Sequence, residues 1–243
     1  MRLLLAYDGT AYHGWQSQPD GLTVQDRVLA AAQRVLGAGV RVTGASRTDA
    51  GVHALGQVAS LATDRALAPE ALARALNALL PDDVRVLAAR EAAPGWSARR
   101  SATGKRYLYL IDNAPVASPL LRRWAWHVPG ALDVAAMRRG LAALRGAHDF
   151  SAFCAAPGLD TTPGCTLRSA HVVRRRHRVA VLLGADRFLH HMVRNLVGSA
   201  VLVGRGRRPP GWLPEVLASR DRRRAGPTAP AHGLTLVRVT YPR

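Results

Sequence analysis

The first ninety residues constrain the fold most, because strand-length apolar runs and helical repeats follow one another there in a fixed order. Arg2 to Tyr7 is a short apolar run that reads as a buried strand. Thr23, with Asp26 three residues on, reads as a helix start. Val24, Val28, Ala32, Val35 and Leu36 then recur at helical spacing until Gly37 and Gly39 stop the helix. Two strand-like runs follow, Val40 to Thr43 and Leu55 to Leu61. Pro69 suits the first turn of a second helix, with Leu72, Leu76, Leu79 and Leu80 as its apolar stripe. Val84 to Leu87 closes the series as a strand. The order is β-α-β-β-α-β, the ferredoxin-like split motif.

A polar, basic stretch from Pro94-Gly95 to Gly104 reads as a domain boundary, dividing the chain into halves 1–100 and 101–243. In the second half, Lys105 to Ile111 alternates like a strand, placing Lys105, Tyr107 and Tyr109 on one face. Asp133 caps a helix whose core face is Val134, Met137, Leu141 and Leu144. Residues 150–168 are irregular and rich in Pro and Gly, as a functional loop is. His171 to Val173 and Val179 to Leu183 read as a hairpin joined by Arg174-Arg175-Arg176-His177-Arg178. That basic run has two readings, a solubilised edge or a phosphate contact. Phe188 to Leu202 reads as a helix with Arg194 and Gly198 off its apolar stripe, the glycine leaving room for a close approach. A short helix at 213–219 and a strand at 234–239 complete the half. The pattern predicts an α+β protein: two ferredoxin-like halves with mainly antiparallel sheets, abutting around a basic central cleft.

Charge narrows the partner. The chain has 34 basic and 16 acidic residues, a net charge of +18, which points to a polyanion and most often to nucleic acid. Arginine supplies nearly all of it; Lys105 is the only lysine. Cys154 and Cys165 are too sparse for a disulfide framework and form no Cys-x-x-Cys pair, so a reducing, cytoplasmic setting is expected. The apolar start is interrupted at Asp8 and is too short for a membrane span.

Chemistry concentrates in Gly44-Ala45-Ser46-Arg47-Thr48-Asp49-Ala50-Gly51-Val52-His53, a turn-rich connection between two strand-like runs. An ionised, oriented carboxylate near an arginine can act as nucleophile or general base. By itself the pattern also fits Asp49 capping a turn and Arg47 as a surface charge. Asp8-Gly9-Thr10 lacks the preceding nucleophilic Asp of a haloacid-dehalogenase-type phosphatase, since Ala6 stands there. Tyr12 and Trp15 suit either a structural turn or contact with RNA. His190-His191 invites zinc, but neighbours on a helix do not share a face.

Four segments together resemble the TruA family of tRNA pseudouridine synthases. They are Tyr7-Asp8-Gly9-Thr10 with His13-Gly14-Trp15-Gln16; Gly44 to Ala54 with Gly56-Gln57; Ala98-Arg99, Ser101-Ala102 and Lys105-x-Tyr107-x-Tyr109; and Phe188 to Gly198. Arg100 stands where related chains often carry Phe. The resemblance implies conversion of uridine to pseudouridine in the anticodon stem-loop of tRNA, at positions 38, 39 and 40, by a homodimer without metal or organic cofactor. It implies that Asp49 is the catalytic aspartate, that Tyr107 stacks on the target base, that Arg47 helps expel that nucleotide, and that Arg194 pairs with the aspartate. Attack at ribose C1′, assisted glycal formation and attack at uracil C6 all remain open for Asp49. A non-catalytic basic RNA-binding module and an RNA N-glycosylase are the competing functions.

Overall fold

Leu3, Leu5 and Tyr7 are the buried positions of strand β1 (Arg2–Tyr7), following the period of two of a sheet with one covered face. The computed structural model describes residues 1–65, 67–155 and 163–242. The chain divides into two units, Met1–Thr103 with Thr235–Arg243, and Gly104–Leu234.

In the first unit, helix α1 (Val24–Leu36) begins at the sequence-predicted cap: the Thr23 hydroxyl accepts the Asp26 N–H at 3.2 Å. Strands β2 (Arg41–Gly44) and β3 (His53–Ala62) pair antiparallel. Helix α2 (Pro69–Leu79) places Pro69 in its first turn and buries Leu72 and Leu76. Strand β4 (Val84–Arg90) follows, and β1 lies between β3 and β4, antiparallel to both. Residues 2–90 therefore read β4-β1-β3-β2 across the sheet.

The second unit opens with β5 (Gly104–Asp112), joined in parallel by the two-residue β6 (Trp126–His127). Asp133 caps α3 (Val134–Ala142) through the Ala136 N–H. Then come β7 (Gly146–Asp149), β8 (Gly164–Arg175), β9 (Arg178–Ala185), α4 (Met192–Gly204) and α5 (Trp212–Ser219). Strands β5, β9, β8 and β7 run antiparallel in that order. Small residues let the helices close on one another: a Cβ on Gly140 would meet Leu213 at 2.8 Å, and one on Gly204 would meet Met137. The last strand, β10 (Leu234–Thr240), pairs in parallel with β3 through Thr235 and Leu236, so the chain's end rejoins the first unit. The class is mixed α and β, with largely antiparallel pairing and five α-helices among the described residues. No helix among these residues is long and apolar enough to cross a membrane.

Three sequence expectations change. The fourth helix starts at Met192, not Phe188, because His191 is left-handed at φ 59° and breaks the run. Leu189 and Met192 keep helical spacing through a turn, Met192 N–H to Leu189 O, which is why the pattern looked continuous. The hairpin strands reach Arg175 and Arg178, leaving only Arg176-His177 as the turn. Within 150–168, Ser151–Phe153 forms a 3-10 turn and β8 begins at Gly164; residues 156–162 lie outside the described residues.

Both cysteines are free and buried. Burial pushes the Cys165 thiol up to about 12, with Asp186 adding to the shift and Arg187 opposing it. Burial also raises Cys154. Near neutral pH neither thiol is expected to react with a disulfide reagent in the native protein, and both are expected to react after denaturation. Rapid titration of either in the folded state would contradict this.

Candidate active site

The Asp49 loop is built by close backbone approach within the first unit. Past β2, Ala45 N–H still donates to Val58 O at 2.7 Å. Ser46 and Thr48 then turn inward and are buried, while Arg47 is exposed and Asp49 half-buried. Val52 N–H closes a turn onto Asp49 O at 3.1 Å, with Gly51 at φ 76°.

The loop at residues 8–16 packs directly against this turn. Trp15 N–H donates to Thr48 O at 3.0 Å, and Gly51 N–H to Tyr12 O at 3.3 Å. Gly14 makes the approach possible: at φ 90° it is left-handed, and a Cβ there would lie 2.4 Å from Thr48 O and 3.0 Å from the Asp49 carbonyl carbon. The same loop receives the start of α1, Gly14 O and Trp15 O accepting the Val24 and Gln25 N–H groups. Tyr12 and Trp15 are therefore structural. Both are buried; the Tyr12 hydroxyl donates to Asp83 at 2.6 Å, and Trp15 lies 6.0 Å from the Tyr7 ring.

The sites expected in the second half are in the second unit. Tyr107 is a buried residue of β5, meeting Phe188 edge to face at 5.2 Å. Arg194 stands in the first turn of α4 and is tied twice to Ala229: its carbonyl accepts the Ala229 N–H at 3.1 Å and its Nε donates to Ala229 O at 2.8 Å. Burial pushes the Tyr109 phenol well above its ordinary value, and the Arg194 charge opposes that shift. Gly198 does leave room for an approach: a Cβ there would fall 1.8 Å from Pro227 O. So the 226–229 segment presses against α4 and holds Arg194 by its backbone and side chain together. Beside it, the fully buried Asn195 amide donates to Phe153 O and accepts from Arg222 and Thr228. Sequence reasoning placed Asn195 only within the 188–198 segment and gave Arg222 no role, because their pairing spans 27 residues and leaves no local pattern. His190 and His191 precede the helix with rings 3.9 Å apart, so helical spacing is not what separates them.

The basic hairpin divides by role. Arg174 donates to Asn113 Oδ1 at 3.0 Å and Leu132 O at 2.8 Å, which makes it a tie within its own unit. Arg175, Arg176 and Arg178 are exposed.

A braced loop bearing a carboxylate, in a chain of net charge +18, fits an enzyme that acts on a polyanion. A family model described as tRNA pseudouridine synthase matches residues 4–99 and 141–242, and the chain belongs to that family. It is 47% identical over 251 residues to the tRNA pseudouridine synthase A of Myxococcus xanthus, an overlap covering 99% of this chain and 91% of that protein. It is 45% identical over 243 residues to the protein of the same name from Moorella thermoacetica, covering 99% of each. For the one from Acetivibrio thermocellus the identity is 42% over 241 residues, again 99% of each.

Proposed function

We infer that the chain isomerises uridine to pseudouridine in tRNA, and we propose that Asp49 is the group that starts the reaction. The observation that carries the assignment is the Asp49 loop itself, a half-buried carboxylate on a turn braced from both sides, in a chain that matches the family over nearly its whole length. The N1–C1′ bond of the target uridine breaks, the uracil turns, and a C5–C1′ bond forms. C5 loses a proton and N1 gains one, so substrate and product are isomers. Attack at C1′, glycal formation and attack at C6 each begin at a carboxylate oxygen. Extruding the base costs a few kcal/mol, and an arginine such as Arg47 can fill the vacated space while holding phosphate. Tyr107 offers the detached uracil an aromatic face.

The family resemblance supports the remaining parts of the reading. They are a pairing of Arg194 with Asp49, two ferredoxin-like halves around a basic cleft, a cytoplasmic homodimer, and anticodon stem-loop specificity at positions 38, 39 and 40. The β4-β1-β3-β2 order of the first unit favours the ferredoxin-like description of that half. Mapping pseudouridine in an unmodified tRNA transcript tests the specificity: modification is expected at uridines of those positions, and modification confined to other arms would overturn it. Dialysis against a chelator is expected to leave turnover unchanged; loss of activity restored by a divalent metal would contradict a metal-free reaction.

Phosphate contact by the hairpin has its own test. Arg175→Ala with Arg178→Ala is expected to weaken tRNA binding and to flatten the log K against log salt slope by about 2, at roughly one unit per phosphate contact. An unaltered slope in filter binding would make these arginines a solvated edge.

A further inference from the structure

Past the end of β2 at Gly44, burial still alternates through Ser46, Arg47 and Thr48 as it would along a strand. A side chain takes over from the neighbouring strand. Gln57, fully buried in β3, accepts the Ser46 N–H at its Oε1 (3.3 Å) and donates from Nε2 to Ser46 O (2.7 Å). These are the two bonds that a paired strand residue exchanges with its partner. The same Oε1 accepts the Val58 N–H at 3.2 Å, and Nε2 also donates to the Tyr7 hydroxyl at 3.4 Å. A carboxamide has two N–H donors and two acceptor positions on its oxygen, and Gln57 uses all four. The Tyr7 hydroxyl pairs in turn with Thr48 Oγ1 at 2.8 Å. All four side chains, Tyr7, Ser46, Thr48 and Gln57, are buried.

We propose that Gln57 is a positioning residue for the reaction: through Ser46 directly and Thr48 by way of Tyr7, it sets the backbone from which Arg47 and Asp49 project. The inference rests on Asp49 being the reactive carboxylate. Its physical basis is that Thr48, held through Tyr7, immediately precedes Asp49. A shift there carries the carboxylate with it, and a displacement of about 1 Å can cost a reaction about a hundredfold. Ser46 and Thr48 are buried, so their anchoring is expected to act through the residues they flank, on turnover more than on affinity. A saturated amide is the side chain that can do this in a buried place. A carboxylate in its stead would face Ser46 O with no proton to donate, and a hydrocarbon would leave the Ser46 N–H and C=O without these bonds.

The test measures kcat, KM for tRNA, tRNA affinity and the fraction of active sites for Gln57→Met, Tyr7→Phe and Asp49→Asn in the full-length protein. Gln57→Met is expected to lower kcat about 30- to 100-fold per active site, with KM and tRNA affinity within about twofold. Tyr7→Phe, which removes the hydroxyl between Gln57 and Thr48 but keeps both Gln57 bonds to Ser46, is expected to lower kcat about three- to tenfold in the same manner. If Gln57→Met fails to fold, Tyr7→Phe and Thr48→Val carry the test. Turnover per active site within about twofold of the parent in these folded variants would overturn the proposal, as would a loss explained wholly by fewer active sites. Asp49→Asn separates the two levels. Activity retained there defeats the assignment of Asp49 and the role of Gln57 with it, whereas a dead Asp49→Asn beside a fully active Gln57→Met defeats the role of Gln57 alone.

Discussion

Asp49→Asn is expected to lower isomerisation at least about a thousandfold while leaving tRNA affinity within about threefold, the pattern of a group whose contribution is made in the transition state. The substitution keeps the shape of the side chain and removes its charge and nucleophilicity. The turn should persist, because two backbone bonds hold it in either variant: Asp49 O accepts the Val52 N–H, and Thr48 O accepts the Trp15 N–H. Tritium released from 5-labelled uridine in tRNA reports each conversion, since C5 loses its hydrogen when it bonds to C1′. Near-normal release from Asp49→Asn would mean that another group starts the reaction. A loss of tRNA affinity parallel to the loss of turnover would mean that Asp49 serves binding.

Gly198→Ala is expected to destabilise the protein by about 3 kcal/mol or more, at the upper end of the cost of overpacking, lowering Tm by roughly 10 °C. The added methyl would fall 1.8 Å from Pro227 O, a backbone atom. That atom cannot move alone. Gly226 N–H is bonded to Ser199 Oγ at 2.9 Å, and Ala229 is bonded twice to Arg194. Either α4 or the 226–229 segment must give way, and Arg194 moves with it, so kcat is expected to fall in whatever folded fraction remains. Gly211→Ala serves as the control: it has a helical φ of −64° and nothing within 4 Å of a Cβ, and its Tm is expected to stay within about 2 °C. Equal Tm values for the two variants would refute the close-approach account of Gly198.

Local features of the fold were legible in the sequence because their causes are local. Thr23 with Asp26, Pro69 and Asp133 mark helix starts through bonds and dihedral limits spanning a few residues. Apolar spacing located β1, α1, α2 and β5 for the same reason. Strand β7, Gly-Ala-His-Asp, has no apolar alternation of its own and exists through its pairing with β8. The left-handed conformation of His191, at φ 59°, is a backbone feature that apolar spacing cannot register. At the site, Asp49 and Arg47 could be singled out because a dense motif surrounds them. Gln57 could be singled out only as part of that motif, since its partners Ser46 and Tyr7 lie 11 and 50 residues away. Arg174 belongs by sequence to a run with two readings, a solubilised edge or a phosphate contact, and its tie to Asn113, 61 residues distant, leaves no mark in that run.

The central claim is that uracil leaves C1′ and returns to it within one active site. Complete nucleoside analysis of an unmodified tRNA transcript, together with assay of the supernatant for free base, tests it most directly. Pseudouridine gained in strict one-to-one proportion to uridine lost, with no uracil released, is the expected result. Uracil accumulating beside abasic tRNA would reveal a glycosylase, and an unchanged nucleoside composition at saturating protein would leave only a basic RNA-binding module.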